Sequence, residues 1–239
     1  MEKHSGGDEI VTQIQNLANA RKNFVFIGES GSGKSEISLN FAKRLAELGD
    51  RSVHFFDMDM VKPLFRSRDA RKAVEGEKIV FHYQEQFMDA PTLVGGVAAS
   101  LKDKNRYVVM DVGGDYIGAR AIGGFAPYID NDDTRVYYVL NVFRPWSWDI
   151  EHIDATLGKI LGVSHIRAVK LRMINNPNNG HTTTKEEFLS GSRRMSDIIS
   201  PYAAIDFACV REELYAQMTE ELDVPVLPLH LYLTSPWEG

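Results

Sequence analysis

The sequence predicts an α/β protein of three layers, in which a doubly wound, mainly parallel sheet lies between helices. Three observations carry this. Short apolar runs and amphipathic helical repeats alternate along the chain. A glycine-rich stretch, Gly28-Glu-Ser-Gly-Ser-Gly33-Lys34-Ser35, separates one such run from the helical repeat that follows it. The 239 residues, 44% hydrophobic and 25% charged, suit a globular core and exclude long disorder, collagen or a disulfide scaffold. A single domain over residues 1–239 is expected, with residues 1–22 as a leading amphipathic segment.

In that segment Ile10, Val11, Ile14, Leu17 and Ala18 fall at helical spacing over Asp8–Ala20, with Asp8 as the expected N-cap. Asn23–Gly28 is an apolar run closed by glycine, hence a strand. Glu36–Leu48 repeats apolar residues at Ile37, Phe41, Leu45 and Leu48 until Gly49 stops the helix. Strands are then expected at Val53–Phe56, Ile79–Tyr83, Tyr107–Val112, Arg135–Val142, Ala168–Ile174, Ile205–Val210 and Val224–Leu229. Between them lie expected helices at Ser67–Glu75, Pro91–Lys102, Ile117–Ile129, Asp149–Leu161 behind a Ser147 cap, Lys185–Ile199 and Arg211–Leu222.

Subtracting 33 acidic from 27 basic side chains leaves a net charge of −6, so the composition carries no strong nucleic-acid signal and phosphate recognition must be local. Cys209 is the only cysteine, which excludes an internal disulfide and a multi-thiolate metal site and suits the reducing cytoplasm. The first ten residues lack the apolar core of a signal peptide, and no transmembrane segment is expected.

The stretch Gly28–Ser35 fits the phosphate-loop pattern G-x-x-x-x-G-K-[ST] in the strand-loop-helix context its chemistry needs. Gly28, Gly31 and Gly33 let the backbone curl, so that N–H groups of Glu29, Ser30, Ser32 and their neighbours point at phosphate oxygens beside a helix N-terminus. Lys34 suits bridging β- and γ-phosphates, and the Ser35 hydroxyl suits a Mg²⁺ ion. Asp111 ends an apolar strand, where a second metal-shell carboxylate belongs, and Gly113-Gly114 after it permits close backbone approach; a plain turn is the rival reading. Asp57 and Asp59 close the second strand on one side of its pleat, placed to orient water and the metal shell, or else forming a solvated strand end with a helix cap.

Together these motifs resemble the MinD/ParA-type (CobQ/CobB/MinD/ParA) family of P-loop nucleotide-binding proteins, over about Asn23 to Leu229. The resemblance implies a P-loop NTPase fold, binding of ATP (or GTP) with Mg²⁺, and nucleotide-driven switching read by a protein partner. It also implies that Asn175 or Asn176 contacts the base, against an ordinary asparagine-rich turn, and that the segment around Pro228 and Leu229 lines the base pocket. No Asn/Thr-Lys-x-Asp guanine motif is present, which favours ATP over GTP. The loop itself looks closer to those of metal-centre maturation GTPases and molybdopterin guanine dinucleotide accessory proteins.

The seven histidines include no pair at i, i+4, so structural roles are expected for most. Arg120 and Arg144 follow strands that end at the presumed nucleotide edge, which suits either transition-state charge or surface pairing. Trp146, Trp148 and Trp237 suit a partner surface or ordinary packing. Three functions fit these residues. They are an ATP-hydrolysing switch, a small-molecule kinase or ligase whose Arg66, Arg68 and Arg71 clamp an anionic acceptor, and a nucleotide-binding scaffold with negligible turnover.

Partition ATPases carry a signature lysine directly after the first loop glycine, where this chain has Glu29. A carboxylate ~4 Å from a second subunit's γ-phosphate meets repulsion of about 4 kcal/mol per charge pair at an effective dielectric near 20. No ATP-bridged sandwich dimer is therefore expected. Sedimentation with a non-hydrolysable ATP analogue, followed by cross-linking at Glu29, checks this; a nucleotide-dependent dimer with Glu29 at its partner's phosphates would refute it.

Overall fold

The computed structural model describes residues 5–58, 78–82, 93–114, 116–218 and 222–233. Its strands are β1 (Asn23–Gly28), β2 (Ser52–Met58), β3 (Ile79–His82), β4 (Arg106–Val112), β5 (Thr134–Leu140), β6 (Leu171–Asn175), β7 (Ile205–Arg211) and β8 (Val226–Leu229). They form one sheet in the order β3-β2-β4-β1-β5-β6-β7-β8. Every neighbouring pair is parallel. Parallel strands need both faces covered, and the runs accordingly read as nearly continuous apolar sequence, with all six residues of β1 buried.

The helices are α1 (Ser5–Ala20), α2 (Lys34–Leu48), α3 (Leu93–Lys102), α4 (Tyr116–Gly123), α5 (Ala126–Ile129), α6 (Ile150–Ser164), α7 (Lys185–Ile199) and α8 (Glu212–Tyr215). One sheet face carries α1 and α2 through Ile14, Phe41, Leu45, Phe26, Phe55 and Val109. On the other, Val97, Ile122, Ile153, Ile160 and Met195 from α3, α4, α6 and α7 meet Val25, Met110 and Tyr138. Phe41 is the anchor of α2: its ring lies 4.8 Å from Phe24 and 5.5 Å from Phe26 on β1. That packing fixes the helix against the strand on either side of the glycine-rich loop.

Strand β1 lies between β4 and β5, and the chain winds away from it in opposite directions on its two sides. The crevice beyond the carboxyl end of β1 is thus the topological switch point, where doubly wound sheets take their ligands.

Several expected boundaries shift for local reasons. Helix α1 starts at Ser5, so Asp8 lies in its first turn and is not its cap. The expected helix Ile117–Ile129 divides into α4 and α5 at Gly123-Gly124, where Gly123 passes so close to α6 that a Cβ would sit 2.8 Å from the Val163 carbonyl. Asp149, not Ser147, caps α6 by accepting from the His152 N–H at 2.9 Å, while Pro145–Ser147 makes a 3₁₀ turn. Ala168–Lys170 is likewise a 3₁₀ turn, which shortens β6 to Leu171–Asn175. The helix expected over Arg211–Leu222 is helical only at Glu212–Tyr215 among the described residues. The expected helix Ser67–Glu75, together with Tyr83, Pro91, Trp237, Asp59, Arg66, Arg68 and Arg71, lies outside the described residues.

The histidines contain a pair that sequence spacing conceals. His54 on β2 and His82 on β3 meet through Nδ1 and Nε2 at 2.9 Å, and the His82 ring stacks on Phe56 at 4.3 Å. Burial chiefly, helped by the Arg106 charge and by His82, pushes His54 down to about 4, and burial beside Arg106 lowers His82. An unfolded chain takes up the His54 proton near pH 6.5 while the folded one resists it down to about 4, so the contribution of His54 to stability is present above pH 6.5 and is lost as the pH falls toward 4. His82 acts in the same direction. Urea midpoints at pH 7 and pH 5 are expected to differ less in His54→Phe than in the parent chain; an undiminished difference would rule the pair out as its source.

Candidate phosphate-binding site

The loop from Gly28 to Ser35 sits at the switch point and is strapped from three neighbouring strand ends. From the turn after β5, Arg144 donates its Nε–H to the Gly31 carbonyl at 3.1 Å. From the end of β6, Asn176, buried to 1% exposure, donates its amide N–H to the Ser32 carbonyl at 2.7 Å. From the turn after β4, Gly114 lies so close that a Cβ there would press on the Ser30 N, with Glu29 C at 2.7 Å and Ser30 Cα at 2.9 Å. The β5 and β6 turns are themselves tied together, because the Asn141 amide donates to the Asn178 carbonyl at 2.7 Å. Arg144 was foreseen at this edge; its attachment to the loop is what the fold adds. Arg120, on α4, is not among the residues that strap the loop.

Inside the loop the Ser32 N–H donates to the Glu29 carbonyl at 3.1 Å, and the Ser30 N–H to the Glu29 carboxylate at 3.3 Å. Gly33 caps α2 in the left-handed region, at φ 90°, and the Asn176 amide nitrogen occupies the space a Cβ would need. Having no side chain, Gly33 gives the first turn of α2 no cap, so those N–H groups remain for an anion. Lys34 and Ser35 open the helix there, and Lys34 is 5% exposed.

Asp57 and Asp111 are register partners on β2 and β4, both buried. They alternate with Phe56 and Met110 of the opposite face, so both belong to the side that carries α2. The two neighbouring carboxyl groups offer only oxygen donors, a chemistry that suits Mg²⁺, an ion commonly bound through only one or two carboxylates with phosphate oxygens and water. Among the described residues no group of three or more His, Cys, Asp or Glu side chains could hold a metal.

A cleft of about 190 Å³ opens beside the loop, lined by Gly31, Gly33, Arg144, Asn176, Leu229 and Leu231 among others. The segment following β8 therefore does reach the site. Of the two asparagines assigned to the base, the structure brings only Asn176 to the cleft, where its Oδ1 is buried without a hydrogen-bond partner. Asn175 is turned away, because its amide donates to the Ser192 carbonyl of α7 at 3.0 Å, so its base-contacting role finds no support in this geometry. A larger cavity of about 540 Å³, mostly apolar, lies against α6 and β6.

Sequence reasoning overlooked Glu36, which lines the cleft and accepts the Tyr232 N–H at 3.0 Å and that of Leu233. Burial raises its carboxyl to about 7, against the lowering effect of those two N–H groups. Its place in the helical repeat marked it only as a polar position.

No family model matches the chain, and no curated protein matches it. Solved structures do. The fold is that of the P-loop NTPases. Similar chains include the signal recognition particle receptor FtsY of Elizabethkingia anophelis in complex with GDP, at TM-score 0.54 and 10% identity, covering 87% of this chain and 65% of that one. A putative plasmid partition protein of Borrelia burgdorferi bound to AMPPNP has TM-score 0.52 and 12% identity, covering 85% and 93%. A nucleotide-binding protein of Archaeoglobus fulgidus in complex with ADP has TM-score 0.51 and 15% identity, covering 86% and 89%. This chain thus spans about two thirds of the FtsY chain and most of the other two. Among the described residues, no helix is long and apolar enough to cross a membrane.

Gly114→Ala is expected to lower stability by ~1–3 kcal/mol, because the added methyl group meets loop backbone and not a flexible side chain. Chemical denaturation checks this, and an unchanged midpoint would mean that the loop and the β4 turn are not in contact.

Proposed function

We propose that this protein binds a nucleoside triphosphate with Mg²⁺, ATP in preference to GTP, and works as a nucleotide-driven P-loop switch read by a protein partner. The observation that carries the reading is the phosphate loop at the switch point with the Asp57–Asp111 pair in register beside it. Lys34 neutralises the β- and γ-phosphates, while backbone N–H groups of the loop and of the first turn of α2 bind their oxygens. Ser35, Asp57 and Asp111 hold Mg²⁺, which when bound neutralises charge on the phosphate oxygens. Asp57, with Asp59 beyond the described residues, is assigned to orienting the attacking water. The preference for ATP rests on the sequence, which has no Asn/Thr-Lys-x-Asp guanine motif.

The switching part of the proposal draws on Gly114, which touches the backbone of Glu29 and Ser30. A displacement of the loop on γ-phosphate binding must move the turn that leads into α4, and a partner resting on that turn would feel the difference.

Calorimetric titration tests the reading. Lys34→Ala is expected to lower Mg²⁺–ATP affinity by a factor of about ten to a hundred in a chain that still unfolds cooperatively, since it removes charged hydrogen bonds to phosphate. Asp111→Asn and Asp57→Asn are expected to keep metal-free nucleotide binding and lose its enhancement by Mg²⁺. Unchanged affinity in Lys34→Ala, or superimposable metal titrations in the aspartate variants, would count against the assignment.

A further inference from the structure

The helix that presents Lys34 and Ser35 also grips the end of the chain described after β8. Glu36, Asn40 and Lys43 recur at helical spacing along one side of α2. Glu36 accepts the N–H groups of Tyr232 and Leu233. Asn40 makes a two-way pair with His230, donating to its carbonyl at 2.9 Å and accepting its N–H at 2.9 Å. Lys43 places its ammonium 5.1 Å from the centre of the Tyr232 ring. The helix side chains thus bind the backbone of 230–233 as a neighbouring strand would, although no strand of the sheet lies there.

This contact shapes the cleft. Leu231 and Leu233 alternate with His230 and Tyr232 along the segment, and both leucines line the cleft beside Gly31 and Gly33. An apolar wall next to a phosphate loop fits a nucleoside and has nothing to offer a bare polyphosphate. We propose that Glu36, Asn40 and Lys43 are positioning residues that hold residues 230–233 as the nucleoside-side wall, so that recognition of base and ribose depends on the phosphate-binding helix itself. This rests on the nucleotide-binding reading above.

The test compares ATP with inorganic tripolyphosphate as calorimetric probes of the parent chain, Asn40→Ala, and Glu36→Ala combined with Asn40→Ala. The parent is expected to prefer ATP. The double variant is expected to lose about tenfold in the ratio of ATP to tripolyphosphate affinity, because removal of the Glu36 carboxyl from the cleft acts on both probes and cancels in that ratio while release of the wall weakens ATP alone. Asn40→Ala alone, which spares the carboxylate beside the loop, is expected to lose a smaller part, and keeps the test available should the double variant fold poorly. Amide hydrogen exchange at Tyr232 and Leu233 is expected to quicken in step. An undiminished preference for ATP in variants whose exchange shows the segment released would overturn this inference alone. A parent chain that binds neither probe would overturn the phosphate-loop reading and this inference with it.

Discussion

The site depends on one constraint: a loop that binds phosphate must leave its N–H groups unspent, and so it must be held in shape from outside. Most turns stabilise themselves by closing hydrogen bonds within their own backbone. Here the Ser30 and Ser32 N–H groups, expected to face phosphate, are instead spent on Glu29, and the carbonyls of Gly31 and Ser32 are bonded by Arg144 and Asn176 from two other strand ends. Gly114 completes the support by contact, without a hydrogen bond. Each support comes from a strand beside or near β1, so the loop's shape is a property of the sheet order.

The same order sets the electrostatics. A net charge of −6 repels a polyphosphate at long range, and the attraction must come from groups concentrated at one edge. On the proposed reading Lys34, the open first turn of α2 and Arg144 supply it. Asp57 and Asp111, neighbours across β2 and β4, bring two carboxyl groups to the same place, which on that reading would hold a divalent cation. Parallel pairing puts both at the carboxyl end of the sheet, whereas antiparallel pairing would send one to the far edge.

Much of this was legible in the sequence because it is encoded locally. The apolar run Phe24–Ile27 of β1, the glycine spacing of the loop and the Phe41 repeat of α2 each sit within a few positions, and strand and helix periods read them directly. The Asn141–Asn178 tie, the His54–His82 pair and the Glu36 grip on residues 232–233 join residues 28 to 197 positions apart. No short window contains both partners. Glycine at positions 123 and 124 was visible, yet the close passage of Gly123 to α6 was not, because Val163 lies 40 positions on.

The sequence by itself determined the alternation of strands and helices, the chemistry of the phosphate loop and the identity of the carboxylates that end the neighbouring strands, because these follow from side-chain type and short spacing. Only the tertiary structure decided that Asp57 and Asp111 stand side by side, that Asn176 straps the loop while Asn175 turns into α7, and that α2 holds the segment after β8. Adjacent residues on a strand point to opposite faces, so one position separates a loop strap from a core contact. Which face meets the loop is set by the strand order and register of the whole sheet.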